Sequence, residues 1–143
     1  MTQAGKVVYT AKTYTTGGRE QGATRSSDGL LDIRLSAPGS ARIGTSPEHL
    51  FAAAWSASFG SAIALAAQKK KTTLAAPITV NAEVDLNEAD DGYFLSTRFN
   101  ISLPGVKREV AQALVNEARQ MCPYSKATRG NIDVTINLVS ARY

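Results

Sequence analysis

Residues 50–67, LFAAAWSASFGSAIALAA, run for 18 residues without a charge. That is long enough to cross a bilayer. The composition argues against a span, because the run is mostly Ala, Ser and Gly, with few large side chains to favour lipid. Its borders read as those of a helix in a globular protein. Ser46 can serve as N-cap, Pro47 suits the first helical position, and Glu48 complements the positive end of the dipole. Lys69, Lys70 and Lys71 close the run where cations offset the negative end. A helix apolar on all sides can lie in the middle of a globular core. Small residues at Ala53, Ala57, Gly60, Ser61 and Ala64 would let another helix approach closely. A monomer of 143 residues would struggle to surround such a helix, so a homodimer core is expected and no membrane partner.

The flanking sequence alternates as half-buried strands do. Residues 6–16 are rich in strand formers, with Val7, Tyr9, Ala11 and Thr13 alternating. The turn GGRE follows and carries Arg19. Asp28-Gly29 is a strong hairpin signal leading into a strand near Leu30–Ser36. Residues 37–45 are loop by composition. Beyond the long helix, 77–88 and 93–103 alternate on either side of the turn ADDG. Residues 107–121 place Val110, Leu114, Glu117/Ala118 and Met121 at helical spacing, with Pro123 ending the helix just after Cys122 and a polar turn following. Residues 131–139 alternate again. The order is strands, long helix, hairpin, shorter helix, strand. It predicts an α+β fold with mainly antiparallel sheets wrapped around a long central helix, in an intertwined homodimer. Residues 1–143 are expected to form a single domain, since a chain of this size buries roughly two thirds of its unfolded surface.

One cysteine excludes a disulfide scaffold, and with one histidine a metal site is not expected. The opening MTQAGKVVYTAKTY lacks the charged-then-apolar order of a signal peptide, so a reducing, cytoplasmic location is expected. The net charge of +4 is spread along the chain. No aromatic or arginine cluster accompanies the lysines, so no nucleic acid is expected as a partner. Taken singly, the candidate residues have ordinary readings. Arg19 is a solvated turn residue, Glu48 a dipole partner, Ser58 a helix-packing residue and Cys122 a small buried apolar group.

Taken together they resemble something specific. The segment CPYSKATRGNIDV is similar to the signature of the organic hydroperoxide resistance proteins, within the osmotically inducible protein C superfamily. TGGRE resembles that family's N-terminal arginine motif, and GTSPEHLFAAAWSASF the start of its central helix. SLPGVKREVAQALVNEARQMCPYS resembles its second helix, so the likeness extends over almost the whole chain. The resemblance implies a two-cysteine peroxidase that binds no cofactor, takes organic hydroperoxides and is reduced by a dihydrolipoyl-type dithiol on a lipoylated protein. Its peroxidatic cysteine lies ten residues after the glutamate of the PE motif. Counting from Glu48 gives Ser58, so oxygen stands where the family has sulfur.

The implied site comprises Ser58 at the peroxidatic position, Cys122 as resolving thiol, Arg19 to lower the thiolate pKa and steady the peroxide, and Glu48 to hold that guanidinium. A serine hydroxyl stays protonated without a general base and forms neither sulfenic acid nor disulfide, so the chain as written is expected to be nearly inactive. Two origins of Ser58 stay open. One is a Cys→Ser replacement introduced into an active enzyme, favoured because Arg19, Glu48 and Cys122 persist. The other is a natural member that binds apolar peroxides or acyl ligands. The chain also departs from the family pattern in a loop, SARIGT, with fewer glycines, and in His49 and Lys126 at positions commonly held by amides. A Ser58–His49 hydrolase dyad is excluded by geometry. Nine helical residues turn by roughly 900° and rise about 13 Å, which puts the two on opposite faces.

Overall fold

The computed structural model describes residues 4–139. They form an α+β protein made of two compact units, one up to Pro47 and one from Glu48 onward.

The first unit is a three-stranded antiparallel meander of β1 (Thr13–Thr16), β2 (Ala23–Ser26) and β3 (Asp32–Arg34). The β1–β2 turn is tight. The amide of Gly22 donates to the Gly18 carbonyl at 2.7 Å. A Cβ at Gly22 would sit 2.5 Å from the carbonyl oxygens of both Thr16 and Gly18, so no side chain fits there. This turn carries Arg19. The β2–β3 connection uses Asp28-Gly29 as expected. Asp28 accepts from the Leu30 amide at 3.0 Å and from the Ser26 hydroxyl, and Gly29 adopts φ 77°. Past β3, Arg42 clips the loop by donating to the carbonyls of Leu35 (2.9 Å) and Gly22 (3.2 Å).

The expected strand over 6–16 is shorter than its pattern. Only Thr13–Thr16 is strand, and Val7, Val8 and Tyr9 are 82%, 90% and 79% exposed. The register gives the reason. Thr13 pairs with Ser26, and the Ser27 amide donates to Lys12. Beyond that point β2 turns away at Asp28, and the earlier residues have no neighbouring strand in the sheet.

The second unit opens with α1 (Pro47–Lys69), which runs unbroken for 23 residues. It is long and apolar enough to cross a membrane, with a mean hydropathy of 1.6 over its best 18-residue window. Here it packs on a sheet. Strands β4 (Thr79–Ala89) and β5 (Gly92–Ser102) form a long antiparallel hairpin turning at Asp90-Asp91. Strand β6 (Asp133–Leu138) joins β5 in parallel, so a parallel pairing closes the mainly antiparallel sheet of this unit. Parallel neighbours need a crossover. It consists of α2 (Arg108–Met121) and α3 (Pro123–Thr128).

Trp55 and Phe59 of α1 meet Phe99 of β5 with ring centroids 5.0 and 5.3 Å apart. All three rings are buried, with Ile63, Ile101 and Leu114 around them. Gly60 sits over Val80 of β4, so its small size serves the sheet rather than a second helix. The other small residues, Ala53, Ala57, Ser61 and Ala64, form an exposed stripe along α1. The buried face of α2 is Ala111, Leu114, Val115 and Ala118: Leu114 and Ala118 fall where expected, Met121 packs at the edge of the core, and Ala111 takes the place expected of Val110. The true stripe follows i, i+3, i+4, i+7 from Ala111, and its alanines allow close approach to the core. Val110 is left exposed. On the outer side of the hairpin, Arg98 donates to Glu83 (2.8 Å) and Asp85 (2.7 Å). Hydrogen bonding from Arg98 is the main cause holding the Asp85 carboxyl below its ordinary range.

Phe99→Ala removes the ring on which both helix aromatics rest. It is expected to destabilise the protein by about 3–5 kcal/mol in urea titrations. An unchanged midpoint would show that the α1–sheet contact does not hold the unit together.

Candidate active site

Of the four residues singled out from the sequence, two meet within the second unit. The Ser58 hydroxyl and the Cys122 sulfur are 3.5 Å apart. Ser58 lies midway along α1, half-buried, beside the buried Phe59. Cys122 is fully buried and continues the inner stripe of α2, four residues beyond Ala118.

The backbone explains the position of Cys122. Its amide donates to the Ala118 carbonyl at 2.8 Å, ending α2, and its own carbonyl accepts from the Lys126 amide at 3.0 Å, opening α3. With φ −64° and ψ 121° it is extended, as a residue before proline tends to be. Pro123 thus ends α2 as expected, but a short helix follows in place of the expected polar turn. The same ring that cannot continue one helix is suited to the first position of the next. Cys122 is the joint between two helices, and the joint presses its side chain toward α1.

Ser125, one turn into α3, accepts a hydrogen bond from the Trp55 indole N–H at 3.2 Å, with both residues buried. Thr128 donates to the Tyr124 carbonyl at 2.9 Å and ties down the end of α3. Sequence reasoning did not single out Ser125. The only signal for it was its place in the segment PYS. Trp55 and Phe59, which flank Ser58 on α1, point into the core toward Phe99. Phe51 packs edge-on against Trp55 at 5.6 Å. A cavity of about 250 Å³ opens beyond Trp55 and Phe59, between α3 and β6, with Arg119 and Arg129 at its rim. Neither Ser58 nor Cys122 lines it.

Glu48 and Arg19 are placed differently. Glu48 is in the first turn of α1. Because α1 is unbroken, ten residues separate Glu48 from Ser58, about 15 Å along the axis, and a glutamate side chain does not span that. A break in the helix that would fold Glu48 back onto Ser58 is absent. Arg19 belongs to the Gly-rich turn of the first unit. No group of three or more His, Cys, Asp or Glu suited to a metal ion occurs among the described residues.

Residues 37–137 match the model of the OsmC-like protein family. The chain belongs to the organic hydroperoxide resistance proteins of that family. It is 42% identical over 137 residues to the organic hydroperoxide resistance protein of Xanthomonas axonopodis pv. citri, covering 93% of this chain and 96% of the relative. It is 40% identical over 136 residues to the organic hydroperoxide resistance protein OhrA of Bacillus subtilis, covering 92% of this chain and 96% of that protein. The crystal structure of OhrB of Bacillus subtilis superposes with a TM-score of 0.87 at 37% identity, covering 93% of this chain and all of that one. Within an organic hydroperoxide resistance protein of this kind, the Ser58–Cys122 approach is the feature with immediate chemical meaning.

The burial of Cys122 has a direct readout. Labelling of the native protein with a bulky aromatic disulfide is expected to be about a hundredfold slower than in denaturant, since reaction requires local opening. Equal rates would place the thiol at the surface.

Proposed function

We propose that this chain carries the frame of a thiol-dependent peroxidase for organic hydroperoxides, with residue 58 at the peroxidatic position and Cys122 as the resolving thiol. The observation that carries the reading is the 3.5 Å approach of the Ser58 oxygen to the buried Cys122 sulfur. The relatives named for organic hydroperoxide resistance support it. With a cysteine at 58, a thiolate attacks the distal oxygen of ROOH, the O–O bond breaks, and ROH leaves after taking up a proton. The resulting sulfenic acid condenses with the Cys122 thiol, releasing water and forming a disulfide. A dihydrolipoyl-type dithiol, presented by a lipoylated protein, then exchanges with that disulfide. Arg19 supplies positive charge to the thiolate and Glu48 orients the guanidinium. No bound cofactor or metal takes part in this scheme. A reducing cytoplasm suits a cysteine that must cycle.

With oxygen at position 58 the first step fails, so the chain as it stands is disabled. Ser58→Cys is expected to raise turnover of tert-butyl hydroperoxide with dihydrolipoamide roughly a thousandfold or more. Comparable activity in both forms would show that position 58 is not peroxidatic. A natural member that keeps serine and binds apolar peroxides or acyl ligands is the other reading, favoured by Ser58 itself. The genomic codon for position 58 separates the two origins.

The same reading includes a homodimer. Only 33% of the apolar window of α1 is buried within the chain, and its exposed stripe of Ala53, Ala57, Ser61 and Ala64 invites close packing. Two antiparallel copies about a two-fold axis would set the start of one α1 beside the middle of the other. Each site then combines Ser58 and Cys122 with Glu48 of the partner subunit and Arg19 of the partner subunit. That the match to the relatives covers nearly their full length supports reading residues 1–143 as one domain in this assembly. Sedimentation at micromolar concentration is expected to give twice the chain mass of 15.2 kDa. A stable folded monomer would sink the shared site.

A further inference from the structure

The hydrogen bond between Trp55 and Ser125 joins residues 70 positions apart in the chain. Trp55 precedes Ser58 by three residues on α1, and Ser125 follows Cys122 by three residues on α3. Three residues are close to one helical turn, so each partner lies near the same face as the redox position beside it. The bond therefore runs next to the Ser58–Cys122 approach and ties the same two segments. Both ends are buried, Trp55 at 1% and Ser125 at 9% exposure, so water cannot replace either partner at no cost. The indole is itself fixed by Phe51 on one side and Phe99 on the other. The serine sits within α3, whose last turn Thr128 closes by its bond to the Tyr124 carbonyl.

We infer that Trp55 and Ser125 are positioning residues that hold the Cys122 sulfur within disulfide reach of residue 58. A disulfide needs its Cβ atoms about 3.5–4.5 Å apart and a restricted torsion, so small displacements of α3 are felt strongly. Cys122 is the joint at the head of α3. Its backbone has no strand neighbour to fix it, and the hydrogen bonds that bracket it run along α2 and α3 themselves. Without the indole–hydroxyl contact, α3 can shift against α1 and carry the sulfur with it. The bond acts on the closing step, in which the Cys122 thiol displaces water from the sulfenic acid. It leaves the attack on peroxide, which belongs to position 58, much less affected.

This inference rests on the proposed roles of positions 58 and 122, and its test is built to fail separately from them. In the Ser58→Cys background, Ser125→Ala, Ser125→Thr and Trp55→Phe are compared with the parent, each first checked for folding by circular dichroism. Disulfide closure is measured in two ways. One is stopped-flow with tert-butyl hydroperoxide, separating sulfenic acid formation from its decay. The other is equilibration in glutathione redox buffers, where two protein thiols and one oxidised glutathione give the disulfide and two reduced glutathiones. Expected is a roughly tenfold loss in closure rate and in effective thiol concentration for Ser125→Ala and Trp55→Phe. The first oxidation step should change less than about twofold, and Ser125→Thr should keep closure near the parent value. Unchanged closure in both Ser125→Ala and Trp55→Phe overturns the inference, whatever happens to their thermal stability. Equal losses in both kinetic steps overturn it too, since they indicate general loosening. If Ser58→Cys does not react with peroxide at all, the peroxidase reading fails, and the glutathione equilibrium alone still decides whether the two residues hold the sulfurs together.

Discussion

The packing of one uncharged helix on one sheet organises the second unit. Helix α1 carries no charge between His49 and Gln68, so every face of it seeks cover. Trp55 and Phe59 bring one face onto Phe99, and Ile63, Ala66 and Ala67 extend that contact toward the helix end. Everything chemically relevant in this unit hangs on the result. With the indole packed against Phe99, its N–H meets the Ser125 hydroxyl. Ser58 is carried to the side of the helix that faces the α2–α3 joint. Had α1 been amphipathic in the usual way, its polar side would be solvated and residue 58 would have no enclosed sulfur opposite it.

The elements with a clear period were legible in the sequence. Alternation over 77–88 and 93–103 corresponds to Thr79–Ala89 and Gly92–Ser102, and the charge-free run to Pro47–Lys69. Where the signal failed, a non-local fact decided. Residues 6–12 have strand composition, but strand requires a neighbour, and β2 has already turned away at Asp28. On α2 the pattern places Leu114 and Ala118 inside, but Ala111 rather than the larger Val110 faces the core, where a small residue allows close approach. Pro123 signals a stop in the sequence, but proline both ends and begins helices, and here α3 starts on it.

The site was legible in a different way. Nothing in the period of the sequence connects Ser58 to Cys122 across 64 residues. Their pairing came from a resemblance, and the structure supplied the contact. The Trp55–Ser125 bond was invisible to both routes, because a tryptophan in an apolar helix and a serine after Cys-Pro-Tyr have ordinary readings when taken alone. Glu48 shows the opposite limit. Its distance from Ser58 along an unbroken helix follows from counting residues, before any coordinate is known.

The parallel pairing of β6 with β5 has a consequence for the order in which the chain folds. Asn137 donates across the ladder to Asn100, and the 36 residues between them include α2, Cys122 and α3. That loop must close before β6 can add its rungs, whereas the β4–β5 hairpin needs only a two-residue turn. The hairpin and α1 can therefore assemble while the α2–α3 crossover is still loose. Until β6 docks, the crossover that carries Cys122 is tied to the sheet at its β5 end alone. The joint that sets the Cys122 sulfur opposite Ser58 is thus pinned from both sides once β6 has paired with β5.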